Sequence, residues 1–369
     1  MKIRSRITIT TVAAFLLWQP LRAADKHNDN NSILGQLTSS PAQMISTVPG
    51  NGDQNPYGVA VVPRFLREGG PLQPGDILVS NFNGSSNVQG TGTTIVRITV
   101  AGQQSVFFQG SPGLGLTTAL GVLRSGFVLV GNLPTSNGGA TISPTSLLVI
   151  DRNGKLVDTL SDPDLLDGPW DLTIVDGFFF AQIFVSNVLN GTVTRLDVAP
   201  NLFSDKLTVL SKTRIASGYA FRPDSGALVV GPTGLAFDPQ KDMLYVASSG
   251  DNKIFGIRHP LFTNKDQGTG AVVYQDDLHL HGPVGMALAP NGHLIVANGD
   301  AQNPGPNGTQ NLLIEFTREG KFVAQFQVDS GNPGGAFGLA IAAAEDGLRF
   351  AAVDDDANTL DIWKVQQDH

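Results

Sequence analysis

The chain has 369 residues, with 24 Lys and Arg against 32 Asp and Glu and a net charge of −8. This acidic balance disfavours nucleic acid and anionic membrane surfaces as partners. Cysteine is absent, which excludes disulfides, thiol catalysis and Cys-ligated zinc.

The N-terminus predicts export. Three basic residues among the first six precede an apolar run from Ile7 to Trp18, and residues 21–23 form a small-residue cleavage pattern. The run is too short for a membrane anchor, so we predict a signal peptide over residues 1–23 and a secreted or periplasmic protein. Its removal leaves 20 Lys and Arg against 32 Asp and Glu, a net charge of −12, and no later run is long enough to span a membrane.

The polar residues that follow predict a disordered leader over residues 24–41.

From residue 42 onward one sequence motif recurs six times. It consists of alternating apolar residues, a polar turn, a short apolar run and a small polar residue. The copies share an anchor position about 50 or 63 residues apart, occupied by Gly58, Gly121, Asp171, Gly234, Gly285 and Gly338. Such a period, with several short strands in each unit, predicts a β-propeller.

The predicted fold is therefore all-β, with six four-stranded blades in a single domain over residues 42–369. The second strands, such as ILVS and LYVA, are apolar on both faces, as sheets packed between two neighbours require. A glycine anchor permits the inner strands to approach closely around the axis. The sixth unit lacks a fourth strand, so we predict that Ala42–Pro49 pairs with Thr359–Val365 and closes the ring.

This repeated motif resembles the NHL repeat of six-bladed propellers, an architecture shared with gluconolactonase-like and strictosidine-synthase-like proteins. The fourth unit carries the resemblance best, with YVASSGDNKI over residues 245–254. Where the family usually has Asp after the second strand, this chain has Asn81, Asn132, Asn187, Ser248, Asn298 and Asp354. Fold transfers well across such a resemblance and function transfers poorly.

The topology places this polar column on the face where the first strands begin, which we call the top face. Three enlarged loops, over residues 81–93, 132–144 and 298–310, are expected to form a rim there. Tyr57 and Trp170 stand just before the anchors and suit stacking on a sugar or other flat ligand, with core packing as the alternative. Each column Asn has a structural alternative as well, because Asn commonly bonds backbone in turns.

Metal binding and catalysis have weaker support. His279 and His281 are the only histidines expected at the top face, and an ordinary loop is the alternative to a metal pair. Asp354–Asp356 can offer oxygen ligands to calcium. The lactonase-like relatives use carboxylate and Asn ligands that include a glutamate, but no glutamate of this chain lies where a first strand begins. No catalytic motif is present.

We therefore predict an exported, monomeric propeller that binds a small molecule or a protein at its top face. The predicted ligand-binding residues are Tyr57, Asn81, Asn132, Trp170, Asn187, His281, Asn298 and Asp354. The alternative is a calcium-dependent hydrolase or lyase of the lactonase-like type, with Asn187, Asn298 and Asp354 as candidate ligands.

Overall fold

The computed structural model describes residues 32–366 except 137, 139, 140, 202, 205, 306–309, 345 and 346. The predicted signal peptide and residues 24–31 of the predicted leader lie outside the described residues. Among the described residues, no helical segment has the length and apolar character that a membrane span requires.

Six four-stranded antiparallel sheets surround a channel, which confirms the predicted six-bladed propeller. A 3-10 turn, η1 (Leu34–Gln36), and strand β1 (Gln43–Ser46) precede the first blade. Blade one contains β2 (Gln54–Val61), β3 (Ile77–Asn83), β4 (Thr94–Ile98) and β5 (Gln104–Gln109). Blade two contains β6 (Leu116–Val122), β7 (Val128–Asn132), β8 (Ser146–Ile150) and β9 (Leu156–Leu160). Blade three contains β10 (Pro169–Asp176), β11 (Ala181–Asn187), β12 (Thr192–Asn201) and β13 (Lys206–Ser217).

A small hairpin, β14 (Arg222–Asp224) and β15 (Leu228–Val230), separates blades three and four. Blade four contains β16 (Pro232–Asp238), β17 (Met243–Ser248), β18 (Lys253–Arg258) and β19 (Ala271–Tyr274). Blade five contains β20 (Pro283–Leu288), β21 (Leu294–Asn298), β22 (Leu312–Phe316) and β23 (Phe322–Gln327). Blade six contains β24 (Ala336–Ala344), β25 (Gly347–Asp354), β26 (Thr359–Val365) and, as its fourth strand, β1.

The ring closes as predicted. β1 pairs antiparallel with β26, with Gln43 opposite Ile362 and Ser46 opposite Thr359. Ile45 packs on the apolar cluster between blades six and one. Closure leaves β26 with a hydrogen-bonded neighbour on both sides, so the ring has no open edge at this point.

The core lies between neighbouring blades. One cluster joins Leu78 and Ile95 of blade one to Val128 and Leu148 of blade two, and the same arrangement recurs between other neighbours. Because each sheet is covered on both faces, β-branched and aliphatic residues occupy consecutive positions of the second and third strands. This packing explains the apolar runs in the sequence.

The anchor positions lie where the inner strands are closest. A Cβ on Gly338 would collide with the carbonyl of Tyr57, and one on Gly285 would collide with that of Phe337. The predicted anchor of blade two is wrong by two residues. Strand pairing there brings Ala119, rather than Gly121, to the anchor position, because β6 carries two extra residues at its bulge where the other inner strands carry one.

The predicted disorder of the leader does not extend over its described part. Ile33 and Leu34 are buried against blades five and six, and the indole of Trp363 donates a 2.8 Å hydrogen bond to the carbonyl of Thr38. Two apolar side chains and two backbone N–H groups that reach the buried Glu315 explain why this stretch packs.

Candidate functional site

Each inner strand carries a bulge near the top face, directly before its anchor. In five blades the bulge contributes one residue to the channel, and in blade two Thr118 occupies the matching place. These six residues, which we call the bulge ring, are Tyr57, Thr118, Trp170, Thr233, Val284 and Phe337. Bulges re-aim side chains, and five of these residues line one cavity at the top face, whereas Thr118 lines a different cavity.

Aromatic side chains fill one side of the bulge ring. Tyr57 stacks between Phe82 and Phe337, with ring centroids 4.6 and 3.9 Å away, and Trp170 meets Tyr57 edge-on at 6.0 Å. Burial, followed by the charge of Asp355, raises the pKa of the Tyr57 phenol well above its usual value, so it stays protonated. Tyr57 therefore offers an apolar ring face and a neutral hydroxyl.

Trp170 is 3% exposed, and its Nε1–H has no hydrogen-bond partner among the described residues. A buried indole N–H usually finds an acceptor, because leaving the donor unpaired costs about 1–3 kcal/mol. The unpaired donor belongs to a residue that lines a cavity. This is the arrangement expected of a group that awaits an acceptor from a ligand.

The hairpin β14–β15 covers the aromatic side of the mouth. Leu228 and Val229 pack on Tyr57, Phe82 and Trp170. Asp224 Oδ1 accepts hydrogen bonds from the backbone N–H of residues 226 and 227, at 2.9 and 3.1 Å, and so fixes the turn. This hairpin was not predicted, although the turn-forming string PDSG and the longer interval between the third and fourth anchors signal an insertion.

Two adjoining spaces lie at the top face. The inner one, of about 110 Å³, is lined by Tyr57, Trp170, Phe337 and the hairpin, and we call it the aromatic cavity. The outer one, of about 670 Å³, is lined mainly by amide and carboxylate side chains, and we call it the polar recess; its polar members are Gln54, Asn55, Asn83, Asn87, Gln89, Ser225, Asp355, Asp356 and Asn358. Asn55, Gln89, Gly226 and Asp355 line both spaces.

Asp355 is the carboxylate shared by the two spaces. Burial, followed by the charges of Asp356, Asp354 and Asp329, raises its pKa to about 8. With its amide nitrogen facing this carboxylate, Asn55 donates to Asp355 and accepts from Nδ2 of Asn83 at 2.8 Å. Asp355 is therefore largely protonated at neutral pH and can both donate and accept hydrogen bonds.

The three enlarged loops reach these spaces as expected from their length. Gln89 of blade one and Gly138 of blade two line the polar recess, and Gln302 of blade five lines the aromatic cavity. Short antiparallel bridges, Asn83 to Gln89 and Thr135 to Ile142, hold the first two loops. The rim is thus built on rigid blade ends, as binding loops commonly are.

The polar column after the second strands makes a different set of contacts. Each described amide or carboxylate side chain bonds a backbone group: Asn81 the carbonyl of Thr47, Asn132 the N–H of Gly115, Asn187 the carbonyl of Leu165, Asn298 the N–H of His281 and the carbonyl of His279, and Asp354 the N–H of Ala357. None of these five side chains lines the aromatic cavity or the polar recess. These bonds match the structural alternative considered for the column.

The two top-face histidines do not form a pair. His279 Nδ1 bonds Asp276, and its ring stacks on Phe322 with centroids 3.9 Å apart. His281 is buried and Nε2 faces the carbonyl of Leu278 at 3.4 Å. Neither residue lines the two top-face spaces, and no group of three or more His, Asp or Glu suited to a metal ion occurs among the described residues.

Of the eight predicted residues, Tyr57 and Trp170 meet in one cavity. Phe337 and Asn55, which share it, were not predicted from the sequence, and Asp355 was predicted only as a possible calcium ligand. Phe337 and Tyr57 hold the same place in their repeats, so the rule that selected Tyr57 also applies to Phe337. Asp355 directly follows Asp354, the predicted ligand-binding residue of the polar column in blade six.

No protein-family model matches the chain, and no curated protein sequence matches it. A calcium-binding protein, regucalcin from Agrobacterium tumefaciens, superposes with a TM-score of 0.51 at 15% identity over 87% of this chain and 93% of that chain. A chain of a mitotic checkpoint complex superposes with a TM-score of 0.53 at 12% identity over 97% and 99%. A gluconolactonase from Xanthomonas campestris gives 0.49 at 13% identity over 87% and 97%. At these identities the likeness concerns the fold alone.

Proposed function

We propose that this propeller is an exported binding protein that takes a polyhydroxylated small molecule, such as a sugar derivative, at its top face. The polar body of the ligand occupies the polar recess, and a flat or apolar group enters the aromatic cavity. The observation that carries this proposal is the shared wall of the two spaces, where Asn55 and Asp355 adjoin the ring of Tyr57.

The chemistry of the recess favours hydroxyl groups. Amide side chains such as those of Asn83, Asn87 and Gln89 each offer two donors and an acceptor, and hydroxyls need both. No Lys or Arg is among the described lining residues, so the recess lacks the cation that a phosphate or carboxylate ligand would require. A neutral ligand agrees with the protein's acidic net charge.

The size of the spaces limits what can bind. At about 110 Å³ the aromatic cavity holds a small apolar group, whereas the recess is several times larger. Because Tyr57 and Trp170 are each 3% exposed, full stacking on their rings requires the hairpin β14–β15 to move outwards. Closure of the hairpin over a bound ligand would then exclude water from the site.

The test is a titration of the full chain carrying Trp363→Phe with a panel of mono- and disaccharides and aryl glycosides. Once the signal peptide is removed, Trp170 is the sole tryptophan of this variant. An aryl glycoside that changes its emission, with at least tenfold weaker binding in Asn55→Ala, supports the proposal. The half-buried Asn190 lies away from both spaces, so Asn190→Ala should bind normally. Emission that no compound in the panel changes contradicts the proposal.

A calcium-dependent lactonase-like activity is the second candidate. Its support is the carboxylates of Asp354 and Asp329, since burial and then the repulsion between them raise the pKa of Asp354 to about 7. A divalent cation bound there would hold both groups ionised and raise the melting temperature through linkage. A rise at millimolar calcium that Asp354→Asn abolishes would favour this candidate, and an unchanged melting temperature would remove it. Assignment to the NHL family stays a prediction.

A further inference from the structure

A second cavity lies within the channel below the bulge ring. It measures about 300 Å³ and is lined by the parts of the inner strands that lead away from the top face. Most of its lining residues are aliphatic, among them Leu120, Leu172, Leu235, Met286 and Leu339, but polar atoms make up the larger share of the surface that faces the cavity. We call it the lower-channel cavity. Its volume falls at the lower end of the range for small-molecule sites.

Asp171 is the only titratable side chain among the described residues that line this cavity. Its Oδ1 accepts a 2.8 Å hydrogen bond from the N–H of Leu172, and its Oδ2 accepts a 2.9 Å bond from the N–H of Leu235. The side chain is 8% exposed, and burial raises the pKa of this carboxyl to about 8. No Lys, Arg or His of the described lining compensates its charge.

Packing between neighbouring blades does not require a carboxylate at this position. Glycine stands at the same anchor position in four blades and alanine in blade two, and all five join their neighbours without a side-chain carboxylate there. A Cβ at Gly234 would collide with the backbone of blade five, whereas the boundary between blades three and four has room for a whole Asp side chain. The boundary between blades three and four therefore combines room for a side chain with the carboxyl group of Asp171.

A second polar side chain of the cavity has no hydrogen-bond partner among the described residues. Thr118 lines it, is 5% exposed, and its Oγ1 has no hydrogen-bond partner among the described residues. A buried hydroxyl without a partner is destabilising, as is a buried carboxylate without a counter-charge. Both costs fall if a ligand in the cavity donates hydrogen bonds and carries a positive charge.

We propose that the lower-channel cavity binds a small alkylammonium ion, with its ammonium group held by Asp171 and Thr118 and its alkyl chain along the leucine and methionine walls. An ammonium group carries three donors and can serve the carboxylate and the hydroxyl together. This site is independent of the proposed top-face site, because the lower-channel cavity and the aromatic cavity share no lining residue.

Binding should strengthen as the carboxyl ionises. An alkylamine remains protonated up to a pH of about 10, whereas free Asp171 ionises near pH 8. Binding at pH 7 therefore releases a proton from Asp171, and the affinity rises towards pH 8.5. No other Asp, Glu, Lys, Arg or His among the described residues of β2, β6, β16, β20 and β24 lines the cavity, so this pH dependence reports on Asp171.

The experiment is calorimetric titration of the full chain with n-butylammonium chloride at pH 7.0 and 8.5, in two buffers of different ionisation enthalpy. We expect saturable binding that is tighter at pH 8.5, with a buffer-dependent heat at pH 7.0. Asp171→Asn should bind at least tenfold more weakly, and Thr118→Val should show a smaller loss. The control is Asp361→Asn, which removes a buried carboxyl from β26, outside the cavity, and should bind like the wild type.

Asp171→Gly provides a second variant without the carboxyl, because glycine already occupies the anchor in four blades. Melting of each variant without the probe establishes that it is folded. The proposal is overturned if the wild type gives no saturable heat between pH 6 and 9, or if a folded Asp171 variant binds as tightly as the wild type. Loss of binding in Asp355→Asn instead would place the amine at the top face and would also overturn it.

Discussion

His293 Nδ1 lies 2.7 Å from Oε1 of Glu315, and both side chains are buried beneath blade five. The same carboxylate accepts hydrogen bonds from Ser32 Oγ at 2.6 Å and from the N–H groups of Ile33 and Leu34 at 3.0 and 2.8 Å. Burial acts to raise the pKa of Glu315, but these bonds outweigh it and hold the pKa below its usual range. Glu315 thus fastens the segment before the ring to the fifth blade.

Glu315→Gln should therefore destabilise the protein by about 1.5–3 kcal/mol at pH 7, because it replaces the charged carboxylate that takes part in four hydrogen bonds with a neutral amide. The pKa is lowered in the folded state, so this contribution is present above the unfolded pKa and is lost as the pH falls through the folded one. Urea unfolding at pH 7 and pH 3.5 should show a smaller difference at the lower pH. Glu319→Gln in the same blade, whose side chain is 66% exposed, should change little. A constant difference would contradict this account.

Asp171 should make the protein less stable as the pH rises. Its pKa is about 8 when folded and near 4 when unfolded, so between these values the folded state holds the extra proton. Stability is greatest below the unfolded pKa and falls as the pH rises towards 8. Between pH 5 and pH 8, the free energy of unfolding should fall more in the wild type than in Asp171→Asn, by more than about 1.4 kcal/mol, the equivalent of one pKa unit. Parallel pH profiles would refute the assignment.

Deletion of residues 1–47 should open the ring. It removes β1, so β26 becomes an unpaired edge strand with apolar residues exposed beside it. We expect a lower melting temperature and self-association in light scattering. Deletion of residues 1–41 removes the contacts with Glu315 but keeps β1, and should lower stability without association. A monomeric chain after the longer deletion would show that closure does not depend on β1.

Replacement of residues 222–230 by a short Gly-Ser linker should uncover the aromatic cavity, because Leu228 and Val229 pack on its walls. In the Trp363→Phe background, acrylamide should quench the emission of Trp170 several-fold more strongly than in the parent. Near-ultraviolet circular dichroism verifies that the blades remain packed. Equal quenching would mean that the hairpin does not limit access to the indole.

The sequence predicted the fold because its signals are local and repeated. Each anchor lies within a few residues of a strand and a turn, and Ala42–Pro49 carries the apolar pattern that β26 needs. The anchor of blade two was misplaced because an extra bulge residue in β6 shifts the pairing register, so that the glycine of GVL no longer lies at the anchor position. Bulges of this kind change the register without changing the apolar pattern.

The site was predicted only in part. Tyr57 and Trp170 could be found because they precede anchors. The contact of Tyr57 with Phe337 joins residues far apart in the chain, and it exists only once the ring is closed. Asn81 and its counterparts were predicted at the mouth because they end the second strands on the top face. The sequence does not show that backbone groups beside each strand end already bond one side of these amides, the nitrogen in Asn81 and Asn187 and the oxygen in Asn132.

The most direct test of top-face binding is the indole N–H region of a nitrogen-15 NMR spectrum of the chain without residues 1–31. Only Trp170 and Trp363 contribute signals, and Trp363 Nε1 already donates to Thr38. Addition of an aryl glycoside should shift the Trp170 signal downfield in a saturable manner and leave that of Trp363 in place. A glycoside that binds by calorimetry and yet leaves the Trp170 signal unmoved would contradict the assignment of the aromatic cavity as the site.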